Sequence, residues 1–148
     1  MTIQIKLLRK GDEAVLANVA ADVFDDPVDA GATADFLHDP RHHVAVAIDD
    51  GPVVGFVSAV HYIHPDKTHP EMWINEVGVA STHRRRGVAR ALLDAVLEMA
   101  REIGCVEAWV LTSRSNRAGM GLYAAAGGEE NDEDAVMFTF RLEAQRSD

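Results

Sequence analysis

Apolar and polar residues alternate along several short segments of this chain, and such alternation is typical of half-buried β-strands. Two of these segments flank Asp49-Asp50-Gly51-Pro52, a turn sequence, and therefore predict a β-hairpin. Gly55, in the second arm of that hairpin, indicates either a bulge or the close approach of another backbone. The predicted strands are residues 3–8, 43–48, 53–63, 71–80, 106–111 and 135–142.

Other segments repeat their apolar residues at helical spacing. A first helix opens at Gly11 and Asp12, and a short second helix falls around residues 32–37. A third helix begins near Gly87 and ends at Gly104, where a C-cap glycine is expected, and a fourth covers residues 115–126. The order β-α-α-β-β-β-α-β-α-β predicts an α/β (mixed α+β) fold, with helices on the faces of a mixed sheet. The apolar face of the first helix comprises Val15, Leu16, Val19, Ala20, Val23 and Phe24.

Length and composition favour one globular domain, residues 1–148. Hydrophobic residues make up 47% of the chain, which excludes a disordered protein. Cys105 is the only cysteine, so no internal disulfide can form, and we interpret it as a buried structural residue in a protein of the reducing cytoplasm. The sequence shows no signal-peptide pattern and no apolar run long enough for a membrane span. Its seven histidines have no partners that complete a recognisable site, so no metal is predicted.

Charge is distributed unevenly along the chain. The formal net charge is −10, which argues against a nucleic-acid surface and permits a cationic partner. Three arginines nevertheless stand together at residues 84–86, and Arg90 follows one helical turn later. They lie between a predicted strand and the start of a predicted helix, where unpaired N–H groups and the helix dipole favour anions. Gly87 would admit a bulky anion, so the stretch predicts a pyrophosphate cradle, with a solvated basic turn as the alternative.

Two motifs carry a resemblance to the GNAT superfamily of N-acetyltransferases. Arg84-Arg85-Arg86-Gly87-Val88-Ala89 resembles the family's Gln/Arg-x-x-Gly-x-Gly/Ala motif. Residues 116–128, NRAGMGLYAAAGG, resemble its Asn-x-x-Ala-x-x-Leu-Tyr-x-x-x-Gly-Phe signature, but Gly119 and Gly128 replace the usual Ala and Phe. The resemblance covers nearly the whole chain in element order and implies a GNAT-like domain with a mostly antiparallel sheet.

The resemblance implies acetyl-CoA as the cofactor. The pantetheine arm would pair with the strand that contains Val77, Val79 and Ala80, and Asn116 would meet the pantetheine or adenine side. Tyr123 would donate a proton to the departing sulfur, the alternative being a half-buried tyrosine whose hydroxyl meets solvent. The pyrophosphate would be held at Arg84, Arg85, Arg86, Gly87, Val88, Ala89 and Arg90.

Acetyl transfer to an amine also needs a group that removes the proton of the ammonium form. Glu76 is the candidate base, because it interrupts an otherwise apolar strand just before the cradle. Regular alternation would place Glu76 on the face opposite Val77 and Val79, although a bulge would change that. The alternative is a carboxylate that only attracts a cationic substrate. A backbone N–H near Val79 would stabilise the oxyanion.

Acidic residues cluster in two places that normally flank the acceptor mouth in this family. The sequence also resembles type I aminoglycoside 3-N-acetyltransferases at residues 22–29, 44–63, 74–93 and 128–140, which implies an aminoglycoside acceptor acetylated in a ternary complex. Other amines, a non-catalytic acyl-CoA sensor, and a merely solvated acidic surface remain open alternatives. The oligomeric state is also open, with a homodimer as the first possibility to test. The predicted acceptor-binding residues are Asp25, Asp26, Asp29, Glu76, Glu129, Glu130 and Asp134.

Overall fold

The computed structural model describes residues 2–131 and 134–143. Within these ranges one sheet runs in the order β1-β2-β3-β4-β5, with antiparallel pairing between the first four strands and parallel pairing of β4 with β5. This confirms the mixed, mostly antiparallel sheet, and the turn before β3 confirms the hairpin. The strands are β1 (Gln4–Leu7), β2 (His42–Ile48), β3 (Val53–Tyr62), β4 (Glu71–Val79) and β5 (Glu107–Val110).

Three α-helices are found in the described ranges, namely α1 (Ala30–His38), α2 (Val88–Ile103) and α3 (Arg117–Ala125). A stripe of apolar residues four apart on α2 is buried against β2 and β3. Gly55 lets α2 lie close to the sheet, because a Cβ there would lie 3.1 Å from Val88 Cγ1. The predicted bulge is confirmed beside Gly55, because Ala47 pairs with Gly55 and Ile48 pairs with Val53, whereas the group that approaches Gly55 most closely is a side chain of α2. Among the described residues, no helix is long and apolar enough to cross a bilayer.

The first predicted helix is wrong beyond its opening turn. Only Glu13–Ala17 is helical, as a short 3₁₀ segment. The chain then pairs with β3 instead: Ala20 N–H donates to Val53 O, and Val53 N–H donates to Asn18 O, both at 2.9 Å. Apolar residues at helical spacing still reach the core, as Phe24 does, but through an extended path. Tertiary pairing has overridden the local pattern.

The last predicted strand, residues 135–142, is also wrong. Residues 134–143 adopt no strand, and in the described ranges no segment pairs with the outer edge of β5. Their alternation is real, but Val136, Phe138 and Phe140 are 74–82% exposed because no strand edge lies beside them. Residues 132–133 of the acidic turn and the tail from residue 144 lie outside the described residues.

Candidate active site

A cleft opens where β4 and β5 separate. The two strands pair only through Glu71–Ile74 and Glu107–Val110, so the second half of β4 has no neighbour on that side. The resulting cavity has a volume of about 770 Å³ and reaches the turn that precedes α2. Its walls include Asn75, Glu76, Val77 and Val79 from β4, and Leu111, Thr112, Asn116, Leu122 and Tyr123 from the opposite side.

A β-bulge at Asn75 decides where Glu76 points. Ala59 pairs with Ile74 and Ser58 pairs with Glu76, so Asn75 is an extra residue on β4. In a regular strand Ile74 and Glu76, two residues apart, would share one face of the sheet. Because of the bulge, Ile74 is buried on the α2 side, while Glu76 is exposed on the other side and faces away from Val77. The predicted opposition of Glu76 and Val77 is confirmed.

The N-terminus of α2 differs from those of the other two α-helices described. Asp29 caps α1 and Asn116 caps α3 through their side chains, whereas α2 begins after Gly87 without a side-chain cap. The first hydrogen bond of α2 runs from Ala91 N–H to Gly87 O, so the N–H groups of residues 88–90 lack an acceptor within the helix. These donors face the cleft from the positive end of the helix dipole, and an anion can satisfy them.

The turn before α2 has an unusual backbone. Arg85 and Gly87 have φ values of 62° and 76°, and a positive φ is uncommon in an arginine. A Cβ on Gly87 would contact nothing within 4 Å, so it is the backbone angle, not crowding, that favours glycine. Arg84 also lines the cleft, whereas Arg86 does not belong to the lining.

Two of the arginines that line the cleft also donate hydrogen bonds to other residues of the chain. Arg84 Nε donates to Val79 O at 3.3 Å. Arg90 Nε donates to Asp94 at 3.0 Å, and its Nη1 donates to Ala125 O at 2.7 Å, which ties α2 to the end of α3. Arg90 therefore helps to hold the two walls together as well as lining the cleft.

Two aspartates that the sequence did not single out hold the turn in place. Asp22 accepts the Ser81 N–H at 3.2 and 3.3 Å through its two carboxylate oxygens. Asp49 Oδ2 lies 2.7 Å from His83 Nε2, and this Asp49 is only 8% exposed. The sequence pattern predicts Asp49 only as a turn residue and gives Asp22 no role in the cradle. No local signal distinguishes them, because both contacts bridge distant parts of the chain.

Asn116 organises the far wall of the cleft. Its Oδ1 accepts the Gly119 N–H at 3.1 Å, and its Nδ2 donates to Thr112 Oγ1 at 3.0 Å. A Cβ at Gly119 would come within 2.5 Å of Asn116 Nδ2, so glycine leaves room for this amide. The departure from Ala in the motif thus has a packing reason, and the cofactor contact of Asn116 stays a prediction.

Tyr123 lines the same cleft as Glu76 and is half-buried. Burial raises the pKa of its hydroxyl, so the group stays protonated at neutral pH. Gly128, the second departure from the motif, donates its N–H to Tyr123 O at 2.9 Å, and a Cβ there would lie 2.9 Å from the same oxygen. The chain therefore turns tightly over Tyr123 because residue 128 is a glycine.

A second cavity, of about 660 Å³, lies between α1 and the sheet. We call it the acidic cleft, since Asp25, Asp26, Asp29 and Glu76 all line it. Asp25 and Glu76 line both cavities, so the two meet there. Asp29 also caps α1 by accepting the Ala32 N–H at 2.8 Å.

The remaining predicted acceptor residues lie elsewhere. Glu129, Glu130 and Asp134 are exposed and belong to neither cavity lining, and Glu130 forms an ion pair with Arg114. Their role toward an acceptor stays a prediction based on charge alone.

Cys105 and the His43–His61 pair belong to neither cavity lining. Cys105 is half-buried against the core, and this burial raises the pKa of its thiol. His43 Nε2 lies 2.7 Å from His61 Nδ1 on neighbouring strands, and burial lowers the pKa of His43 to about 4. Among the described residues, no group of three or more His, Cys, Asp or Glu side chains is placed to hold a metal ion.

A family model described as "Acetyltransferase (GNAT) family" matches residues 14–127. Among curated proteins, N-acetyltransferase family 8 member 2 of Rattus norvegicus is 30% identical over 97 residues, which cover 66% of this chain and 43% of that protein. The chain spans about half the length, or less, of the curated relatives that it matches.

Solved structures share the fold at low sequence identity. The aminoglycoside acetyltransferase meta-AAC0020, from an uncultured soil metagenomic sample and in complex with trehalose, superposes with a TM-score of 0.81 at 19% identity, covering 95% of this chain and 97% of that one. The ribosomal-protein-alanine N-acetyltransferase of Brucella melitensis biovar Abortus 2308 superposes with a TM-score of 0.70 at 23% identity, covering 94% and 100%. These neighbours are named for different acceptors, and at such low identity the likeness establishes the fold alone.

Proposed function

Because this chain belongs to the acetyltransferase (GNAT) family, which uses acetyl-CoA, we propose that it transfers an acetyl group to a primary amine of a small polycationic acceptor. The proposed acceptor is an aminoglycoside, acetylated at its 3-amino group by direct transfer in a ternary complex. One observation carries the proposal: a cleft with anion-binding donors and an acidic cleft meet at Glu76.

The first cleft fits an acyl-CoA. The uncapped N-terminus of α2 and Arg85 would hold the pyrophosphate, and the free edge of β4 at Val77 and Val79 would pair with the pantetheine amides. Acetyl-CoA supplies an acyl group activated as a thioester. Asp22 and Asp49 keep the turn in shape for this purpose, because they hold it to distant segments.

The side chains at the meeting point can carry the proton transfers. Glu76 accepts a proton from the acceptor ammonium, directly or through water, which frees the nitrogen lone pair for attack on the acyl carbon. As the new C–N bond forms and the C–S bond breaks, the nitrogen releases its second proton to water, and the Tyr123 hydroxyl donates its proton to the leaving sulfur and regains one from solvent. Its raised pKa keeps that proton in place until the thiolate needs it.

The acidic cleft supports a polycationic acceptor. Asp25, Asp26 and Asp29 are exposed carboxylates around an opening that leads to Glu76, and such a field raises the local concentration of cations. The solved neighbour named as an aminoglycoside acetyltransferase supports the same class, while the one named for a ribosomal protein keeps a protein amine as the alternative acceptor.

Release of free CoA thiol from acetyl-CoA, measured with gentamicin, a polyamine, free amino acids and a peptide N-terminus, tests the proposal. We expect the highest kcat/KM with gentamicin, and mass spectrometry of the product should place the acetyl group on the 3-amino nitrogen. Faster release with the peptide would contradict the proposed acceptor.

Neutralising Asp25 and Asp26 together to Asn should raise KM for gentamicin by about tenfold at low salt, since attraction by exposed charges is screened by ions. The matched control neutralises Glu129 and Glu130, which lie outside both cavities, and should change KM less. If CoA binds but no amine in the panel releases thiol, the chain is a sensor and not an enzyme.

A further inference from the structure

Ser58 is a buried polar residue for which the fold itself supplies no partner. It is 7% exposed, and its Oγ makes no hydrogen bond within the described part of the chain. Buried hydroxyls are normally hydrogen-bonded, because an unpaired one loses its water without compensation. Because the Oγ bonds to nothing in the described fold, an alanine at position 58 would cost the fold no hydrogen bond.

Ser58 belongs to the wall of the acidic cleft, and its orphaned Oγ lies just behind that surface. Ser58 lines that cavity together with Glu76, and the two are directly opposite each other on β3 and β4. Opposed residues of an antiparallel pair have Cβ atoms about 4.5–5.5 Å apart on one face of the sheet. The bulge at Asn75 creates this arrangement, because it brings Glu76 to the face that Ser58 occupies.

The two groups differ in what they can bind. The Glu76 carboxylate accepts hydrogen bonds and takes an ammonium, whereas a serine hydroxyl can also donate one. A single molecule satisfies both when it carries an amine and an oxygen on adjacent carbons. The other hydroxyl of the cavity wall, on Thr33, is not free for this role, because its Oγ1 already donates to Asp29 O at 2.8 Å.

We infer that Ser58 is an acceptor-binding residue that donates a hydrogen bond to the oxygen on the carbon next to the reacting amine, while Glu76 takes the amine. The substrate class is therefore an amino-cyclitol or amino sugar in which that carbon is oxygenated, rather than a plain polyamine. This inference rests on the proposed function in one respect only, the use of the acidic cleft as the acceptor site.

Binding of two matched diamines in the presence of CoA tests the inference without relying on turnover. 2-Deoxystreptamine has two ring amines with oxygens beside them, and cis-1,3-cyclohexanediamine has the same amines without those oxygens. By calorimetric titration, we expect the wild-type protein to prefer 2-deoxystreptamine by about threefold to tenfold, as one net hydrogen bond provides. In Ser58→Ala the preference should fall to about one.

Thr33→Val is the matched control, since it removes a wall hydroxyl that is already bonded inside the protein. It should keep the preference for 2-deoxystreptamine and lower the melting temperature. Ser58→Ala should leave the melting temperature unchanged or raise it, because the fold loses no hydrogen bond.

Three results would overturn the inference: equal binding of the two diamines to the wild-type protein, a preference that survives in Ser58→Ala, or no binding of either. Thiol release measured in parallel distinguishes a failure of the Ser58 inference from a failure of the proposed acetyltransferase activity. Preferential binding without acetyl transfer would support the role of Ser58 and contradict the acetyltransferase activity. Transfer to both diamines at equal rates and affinities would support the activity and contradict the role of Ser58.

Discussion

Gly78 lies where the segment around Val23 crosses β4, and replacing it by alanine should destabilise the fold. A Cβ at position 78 would overlap the carbonyl oxygen of Val23 and lie 2.7 Å from Phe56 Cε1. A backbone oxygen cannot turn aside as a flexible side chain can, so we place the overpacking cost at about 3 kcal/mol, the upper end of its usual range. The reduced freedom of the unfolded chain offsets about 0.7 kcal/mol. The net loss is roughly 2 kcal/mol, or about 8 °C in melting temperature for a domain of this size.

Two other glycines make a graded series with Gly78. A Cβ at Gly55 would meet Val88 Cγ1 at 3.1 Å, a contact that a small shift relieves, so Gly55→Ala should change stability by less than about 1 kcal/mol. Gly121 lies inside α3 with nothing within 4 Å of a Cβ, so Gly121→Ala should stabilise the fold by about 1 kcal/mol through helix propensity.

Thermal and urea unfolding measure the stability of the three glycine variants, and calorimetric titration measures their affinity for CoA. Displacement of Val23 pulls on Asp22, which holds the turn before α2 through Ser81 N–H, so only Gly78→Ala should weaken CoA binding. A melting temperature of Gly78→Ala at or above that of the wild type would refute the packing argument.

Tyr123→Phe should lower kcat by about a hundredfold and leave CoA affinity unchanged, as loss of a general acid does, and an unchanged kcat would exclude the acid role. Because burial raises the pKa of Tyr123 above its usual 10.0, kcat of the wild-type protein should fall only above that pH. Asp49→Asn weakens the buried contact with His83, so calorimetry should show weaker CoA binding. Urea unfolding should show that the free energy of unfolding falls by about 1–3 kcal/mol. Unaltered CoA binding would mean that the Asp49–His83 contact is not needed to hold the turn. The pKa of His43 falls from 6.5 to about 4 on folding, so the unfolded chain binds the extra proton and stability should drop as the pH is lowered from 6.5 to 4, by about 1–3 kcal/mol for a half-buried group. Urea unfolding at pH 7 and 4.5 should show a smaller drop in His43→Gln, and equal drops would contradict this assignment.

The elements that the sequence predicted well depend on contacts between near neighbours in the chain. The helix between Gly87 and Gly104 is an example, because its spacing of apolar residues and its terminal glycines act within a few turns. The hairpin at Asp49-Asp50-Gly51-Pro52 is another, since Asp49 N–H donates to Pro52 O across the turn. The turn that carries the arginines before α2 follows from the same local pattern.

What failed, or could not be foreseen, depends on pairing between distant segments. The first helix gave way to hydrogen bonds with β3, and the last alternating segment does not pair with the outer edge of β5. Neither outcome is encoded in periodicity, because a strand is stable only beside another strand.

By itself the sequence determined the family's two motifs, the mixed sheet and the charge asymmetry between an arginine turn and acidic surroundings. Only the tertiary structure decided that β4 parts from β5 after Ile74, that the bulge at Asn75 turns Glu76 toward Ser58, and that Asp22 and Asp49 hold the turn. The physical reason is register: a shift of one residue between strands moves a side chain to the other face, and no local pattern records which strand will set it.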